Sequence, residues 1–431
     1  MPFEMSAAAP RRIAVIGGGV SGMAAAHLLS SEHAVVLYES EPRLGGHART
    51  VMAGKRGDQP VDTGFIVFNH VNYPLLTALF ERLGVPTAPS NMSFGASING
   101  GALEYGLADI STIFAQRRNI ARPAFLRMIR DIVHFNKNAL EAAQNPGLTI
   151  GELLRDMGTG DWFRDHYITP FSGAIWSTPL AGILEFPAQA LVQFFKNHGL
   201  LGYDGHHQWH TVLGGSIEYV RRLQSALEVE GVDLRLGSPV AAVKRVTAGV
   251  MVKVKGGEWE SFDDVIFACH SDQALAILSD ATVKERAALS AVRYQPNEAV
   301  LHSDPSVMPK RRKVWSSWVY VEPKGARRDR IDLTYWMNSL QPIPHDDPLF
   351  VTLNTNRAIP DALVHDVVTF HHPVFDVAAL KAQADIRAMN GSKRTWFCGA
   401  WMKNGFHEDG FASAVDVVSS IRLRMQRTVA A

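Results

Sequence analysis

The sequence predicts an α/β fold, and three observations carry that prediction. A βαβ unit opens the chain. The apolar run Arg12-Ile-Ala-Val-Ile16 ends at glycines, an Ala- and Leu-rich stretch runs from Val20 to Ser30, and a second apolar run follows from Ala34 to Glu39. Strand, tight turn, helix and strand within about 30 residues form the building block of a parallel sheet. Two later runs, Asp264 to Cys269 and Arg394 to Cys398, have the length and apolar character of further buried strands, the second leading into a helix from about Gly410 to Arg427. Finally, 431 residues with 46% hydrophobic side chains hold enough apolar surface for two or three packed units, which excludes disorder as the main state.

The remaining elements follow in order. Tyr73 to Leu83 reads as an amphipathic helix stopped by Gly84, and Arg117 to Ala143 as mostly helical with Pro123 near its start. Gly151 to Gly205 is aromatic-rich with several prolines, and a helix from Ser216 to Glu228 follows the pair Gly214-Gly215. Val232 to Lys255 largely alternates apolar and polar, as antiparallel or edge strands do, and Ala276 to Met389 mixes strands and turns.

Charge and cysteine content exclude several classes. Lys and Arg number 43 against 42 Asp and Glu, a net charge of +1, so no nucleic-acid partner is expected. The two cysteines, Cys269 and Cys398, make no disulfide framework, and no Cys/His cluster has zinc spacing, which favours a cytoplasmic compartment. Residues 1–12 lack the apolar run of a secretion signal, and no stretch approaches the 18 or so apolar residues of a membrane span.

The strongest local signal is Gly17-Gly18-Gly19-Val20-Ser21-Gly22, a GxGxxG turn between the first strand and the first helix. Gly17 permits the sharp turn, Gly19 lets backbone approach a diphosphate, and Gly22 lets helix and sheet pack closely. The opening N–H groups of the helix, at Val20 and Ser21, face the phosphates. Glu39, 22 residues after Gly17 and followed by Ser40, stands where an acid accepts hydrogen bonds from ribose hydroxyls. The expected unit is a Rossmann-like dinucleotide-binding domain.

The next residues separate dinucleotides. Arg43-Leu-Gly45-Gly46-His47-Ala-Arg49-Thr50 resembles the RxGGRxxT signature of the flavin amine oxidase and phytoene desaturase superfamily, with His47 where the family usually has Arg. Arg43 and Arg49 are read as charges for phosphate, and Gly45 and Gly46 as points of close backbone approach. Asp62-Thr63-Gly64-Phe65 matches the stretch leading toward the flavin ring. Val240, in Ser238-Pro239-Val240, matches the strand beside the adenine. Trp396 to Ala400, with Gly399, and Glu408 to Ala414, with Gly410 and Phe411, resemble the C-terminal flavin motif, Ala400 replacing its usual acid.

The resemblance implies FAD and a GR2-type cofactor domain made of residues 10–70, 211–275 and 390–431. It also implies an inserted α+β substrate domain made of residues 71–210 and 276–389. Within the superfamily, Val61 to Asn69 and Gly405 to Gly410 look most like bacterial oxidoreductases associated with fatty-acyl methylation and cyclopropanation enzymes. That narrower likeness implies dehydrogenation of an unsaturated or methyl-branched fatty-acyl chain, with hydride passing to flavin N5. A fatty-acid double-bond isomerase, an amine oxidase and a non-catalytic lipid-binding flavoprotein are the alternatives.

A second GxGxxG is absent, as are CxxC, HExxH, GxSxG and Walker-type runs, so oxygen or a separate carrier is the expected oxidant. Aromatics from Phe65 to Phe195 supply material for either a tunnel or a core. Tyr203, His207 and His210 are the candidate proton-handling residues, with His407 and Glu408 as a second pair. Two basic-aromatic stretches, Arg117 to Phe135 and Lys310 to Trp318, suit a peripheral contact with the inner face of a membrane.

Overall fold

Five short strands share one parallel sheet although the chain contributes them from three distant places. They are β1 (Arg12–Ile16), β2 (Ala34–Tyr38), β3 (Asp233–Arg235), β4 (Asp264–Phe267) and β5 (Thr395–Phe397), in the order β3-β2-β1-β4-β5. Ile13 to Ile16 of β1 pair with Val35 to Tyr38 on one side and with Asp264 to Phe267 on the other. The computed structural model describes residues 9–145, 147–202, 207–325, 331–355 and 357–430, without the side chains of 428–430.

Helices α1 (Val20–Leu29) and α2 (His407–Ala430) cover one face of this sheet. Nearly every residue of α1 is buried, because it lies between sheet and α2, so its Ala-rich sequence has no polar stripe. An antiparallel meander of Val240–Val246, Gly249–Val254 and Trp259–Phe262 packs on the other face with the helices Ser271–Ile277, Val283–Ala291 and Val377–Met389. Burial on both faces explains why the strands read as continuous apolar runs.

A second sheet of seven strands runs in the order Val364–Val374, Arg293–His302, Phe350–Leu353, Leu333–Trp336, Trp318–Val321, Phe94–Ile98 and Leu103–Gly106. Its neighbours are antiparallel except for the parallel pair Trp318–Val321 and Phe94–Ile98. A helical layer that includes Pro123–Ala142, Thr169–Trp176 and Ala188–Asn197 shares its core. A small sheet with Trp209–Val212 between Val67–Phe68 and Thr87–Ser90 joins the two regions.

Asp233–Arg235 is an edge strand of the parallel sheet beside β2, one of the two forms its alternation allowed. The structure differs from the sequence reading in two places. The stretch 276–389 also contains helices, among them Val377–Met389, whose start is capped by Asp376 accepting from the Ala379 N–H at 2.8 Å. Helix α2 begins at His407, three residues early, because Asp409 turns back to accept the Phe406 N–H at 2.9 Å.

Candidate active site

The carboxyl ends of β1 and β2 open into a cavity of about 2050 Å³. Sites for drug-sized ligands run to roughly 1,000 Å³, so this space has room for a dinucleotide and a second molecule.

The glycine turn sits at one end of it. Gly17, with φ +111°, donates its N–H to Tyr38 O at 2.8 Å, and an added Cβ would lie 3.0 Å from the Ala268 backbone. The same construction at Gly22 puts a Cβ 1.8 Å from Gly17 O, so Gly22 serves helix–turn packing and does not line the cavity. Gly19 has the opposite surroundings: it lines the cavity, and its Cβ would meet nothing within 4 Å. Intrahelical bonding in α1 starts with the Met23 N–H on Gly19 O, so the amides of Val20 and Ser21 have no intrahelical acceptor.

Arg43 to Gly46 close over this turn. Gly45 donates its N–H to Gly18 O at 2.9 Å, and Gly46, with φ +55°, comes so near that a Cβ would stand 3.1 Å from Gly19 Cα. The Arg43 guanidinium bonds the carbonyls of Leu44, Gly46 and Ala48 at 3.1–3.3 Å, and among the described residues no carboxylate pairs with it. It therefore keeps an uncompensated positive charge beside the helix N-terminus. Glu39 accepts the Gly18 N–H at 2.6 Å and the Glu41 N–H at 2.8 Å, with Ser40, Ser238, Pro239 and Val240 lining the same end. An open cradle of backbone amides, one guanidinium without an ion-pair partner and an adjacent carboxylate fits the diphosphate and ribose of FAD.

Arg49 lines the cavity too, but unlike Arg43 it is already paired. Its guanidinium forks onto Asp366, at 2.5 and 3.0 Å, which neutralises it and ties the cradle to the seven-stranded sheet. Arg43→Ala is accordingly expected to weaken FAD binding by roughly 10- to 100-fold, the worth of a lost charge-assisted bond. Arg49→Ala should instead lower the melting temperature more than the affinity. Fluorescence titration of the FAD-free protein and thermal unfolding distinguish the two.

Farther along, Thr63, Gly64, Phe65, His47 and Gly399 line the cavity. A Cβ on Gly64 would fall 1.9 Å from His47 O, so this loop accepts no side chain there. His47 stacks on Phe370 with centroids 5.0 Å apart, and burial, aided by His270 and His371, pushes its pKa down to about 4. His270, stacked on Tyr294 at 4.2 Å, is likewise lowered to about 4, mainly by burial. These neutral imidazoles, with His371 and His372, form a cluster that the sequence reading missed. His270 and the His371-His372 pair lie in strand-end and strand sequence, where a histidine carries no local sign of its partners.

His407 opens α2, stacks on Phe65 at 4.0 Å and takes a 2.5 Å hydrogen bond between its Nε2 and the Tyr219 hydroxyl. Burial pushes its pKa down to about 3. Glu408, its candidate partner, turns away and accepts the N–H groups of Leu75 and Leu76, each at 2.9 Å, capping the helix Pro74–Leu83. Gly410 and Phe411 also stand off the cavity. A Cβ on Gly410 would meet Val20 Cγ1 at 2.8 Å, so this glycine lets α2 cross α1, and Phe411 is core.

Of the candidate histidines on either side of Trp209, His207 lines the cavity. His210 does not; it lies against His70 and Phe68, with centroids 4.8 and 5.9 Å away. Tyr203 is outside the described residues. Asp62, read as part of a glycine stretch, is a buried lock: it accepts from Thr50 Oγ1 at 2.6 Å, Ser216 N and Oγ at 2.8 Å and Gln341 Nε2 at 3.0 Å. Burial pushes its carboxyl up to about 6 against those bonds. Among the described residues no cluster of three or more His, Cys, Asp or Glu is placed to hold a metal, and no helix is long and apolar enough to cross a membrane.

Comparison with known proteins agrees with this geometry. No curated protein matches the chain. A putative protoporphyrinogen oxidase from Exiguobacterium sp. 255-15 shares the fold at 17% identity and a TM-score of 0.70, over 96% of this chain and 99% of that one. A fatty acid isomerase from P. acnes that produces CLA is 15% identical with a TM-score of 0.69, over 97% and 99%. An engineered putrescine oxidase is 16% identical with a TM-score of 0.70, over 96% and 99%. Residues 20–311 match the model of the flavin-containing amine oxidoreductases, a span that starts inside the cradle and covers more than half of the chain. The chain belongs to that family and is an FAD-dependent oxidoreductase.

Proposed function

We propose that the enzyme dehydrogenates an unsaturated or methyl-branched fatty-acyl chain. One observation carries this reading: the chemical character of the cavity beyond the cradle. Its walls there are mostly apolar, with Val67, Phe94, Ile129, Ile132, Phe171 and Phe406 among them beside uncharged polar groups such as Asn91 and Asn136. Among the described residues, the lining carboxylates are Glu39, Glu41 and Asp109. The first two belong to the cradle, and Asp109, which caps the short helix Ile110–Ile113 by accepting the Thr112 N–H at 2.8 Å, is exposed to solvent rather than set among the buried apolar walls. A protonated amine in the apolar stretch would lose its hydration without gaining a counter-charge, a cost of several kcal/mol. An acyl chain loses nothing there and gains roughly 0.8 kcal/mol per buried methylene.

Bound FAD supplies a two-electron acceptor for a hydride leaving a C–H bond. The chain's own residues do the rest. The cradle fixes the dinucleotide, and the apolar walls align the acyl chain and exclude water. His407, held by Tyr219 and kept neutral by burial, positions rather than ionises. His207 is the group assigned to take the proton that accompanies desaturation. An isomerase uses the same cavity, and the likeness to a fatty acid isomerase keeps that reading as the second one.

Anaerobic mixing of the FAD-loaded enzyme with acylated phospholipid tests the proposal. Bleaching of the flavin with a product two hydrogens lighter is expected. A product of unchanged mass with a moved double bond replaces desaturation by isomerisation. Bleaching by amines and not by lipids overturns the lipid reading.

A further inference from the structure

We propose that the exposed face of the helix Pro123–Ala142 docks on an anionic lipid bilayer, with the cavity mouth against the membrane. The proposal takes its purpose from the acyl-chain reading above, since a docked mouth gives a lipid tail a dry path inward. The surface itself rests on its own residues.

Leu126, Val133 and Leu140 are 44%, 45% and 39% exposed. They recur every seven residues, so they form one stripe along the helix. Arg130 and Lys137, each four residues beyond Leu126 and Val133, fall in the same stripe and are exposed. An alternating leucine, arginine, valine, lysine, leucine face has no use for water on its apolar members. It suits an interface where apolar side chains enter the acyl boundary and basic ones reach headgroups.

The stripe borders the cavity. Val133 itself lines it, as do Ile129, Ile132 and Asn136 on the adjoining side of the helix. Ile110 also lines the cavity while 76% exposed, and Ile120, in the short helical turn Arg117–Ala121 ahead of the helix, is 57% exposed. Exposed apolar residues thus rim an apolar opening, which a soluble protein has no reason to keep.

The charge fits one sign of membrane. Between residues 109 and 141 there are six Arg and Lys against three Asp and Glu. One of those acids, Asp131, is buried and shared by Arg127 and Arg130, whose side chains are 57% and 71% exposed, so the surface keeps a positive excess. In the other basic-aromatic stretch two of the four basic side chains have partners within the protein. Arg311 pairs with Glu104 at 2.7 Å, and Arg312 lies 3.7 Å over the Trp315 ring.

Co-sedimentation of the full-length, FAD-loaded protein with phosphatidylglycerol vesicles and with phosphatidylcholine vesicles tests the proposal. Binding to the anionic vesicles, weakened by salt, is expected. Both Leu126→Glu/Leu140→Glu and Arg130→Glu/Lys137→Glu should lower it roughly tenfold or more while leaving the flavin spectrum unchanged. Failure of the wild type to bind anionic vesicles, or undiminished binding by both variants, overturns the proposal. So does self-association in solution that Leu126→Glu abolishes, because the face then belongs to a second copy. Vesicle binding without bleaching by any lipid leaves the docking surface standing and removes the acyl-chain reading.

Discussion

Gly22→Ala should yield a colourless, destabilised protein, whereas Gly19→Ala should yield a colourless protein of ordinary stability. The added methyl at Gly22 would sit 1.8 Å from Gly17 O, closer than any real contact. Either α1 moves off the turn or the turn moves off β1. Both displace the amides that face the diphosphate, and overpacking at such a buried joint costs about 3 kcal/mol. At Gly19 the backbone has φ −74°, which alanine adopts without strain, and the methyl enters open space. That space is the one assigned to phosphate oxygens, so the loss falls on the cofactor alone. Thermal unfolding of the FAD-free proteins beside flavin absorbance of the purified ones gives the comparison. Equal melting temperatures for the two variants would refute the division of labour between these glycines.

Asp62→Ala is expected to lose about 3–5 kcal/mol of stability, the cost of stripping a buried network of its shared acceptor. The substitution leaves the Thr50 hydroxyl, the Ser216 N–H and hydroxyl, and the Gln341 amide without the carboxylate that all of them address. Three separate segments meet at that one side chain. Asp62→Asn keeps the shape but replaces one acceptor oxygen with a donor, so it should lose less. Urea unfolding monitored by tryptophan fluorescence measures both. Because Thr63, Gly64 and Phe65 follow directly and line the cavity, flavin retention should fall in the same order.

The parts legible in the sequence are those whose physics is local. The strand–turn–helix–strand opening announces itself by apolar runs of strand length broken at glycines, and its predicted ends match the structure within one residue. Arg43, Gly45 and Gly46 are legible for the same reason: they fold back on a turn only some 25 residues earlier, and their chemistry is intrinsic to them. Arg49 misleads because its meaning lies in Asp366, 317 residues away, and no window of sequence contains both. Asp62 misleads similarly, since the donors that surround it arrive from Ser216 and Gln341. His407 and Glu408 are adjacent in sequence, yet the helix sends one ring toward the cavity and the neighbouring carboxylate toward another helix. The helix Val377–Met389 does have a local sign, an aspartate ahead of a run of good helix formers, within a region otherwise dominated by strands.

The late position of β5 and α2 has a consequence for biosynthesis. A ribosome makes them long after β1, β2 and β4, so in the interval β4 waits with one edge unpaired and α1 with one flank bare. Pairings that span nearly the whole polypeptide close slowly, and an open edge invites the wrong neighbour in the meantime. The nascent enzyme therefore cannot seal its nucleotide pocket until that strand and helix have emerged, and cofactor loading waits for them. A chain interrupted before Thr395 would lack the closing strand and the helix that shields it, leaving a product fit for degradation rather than a shortened enzyme.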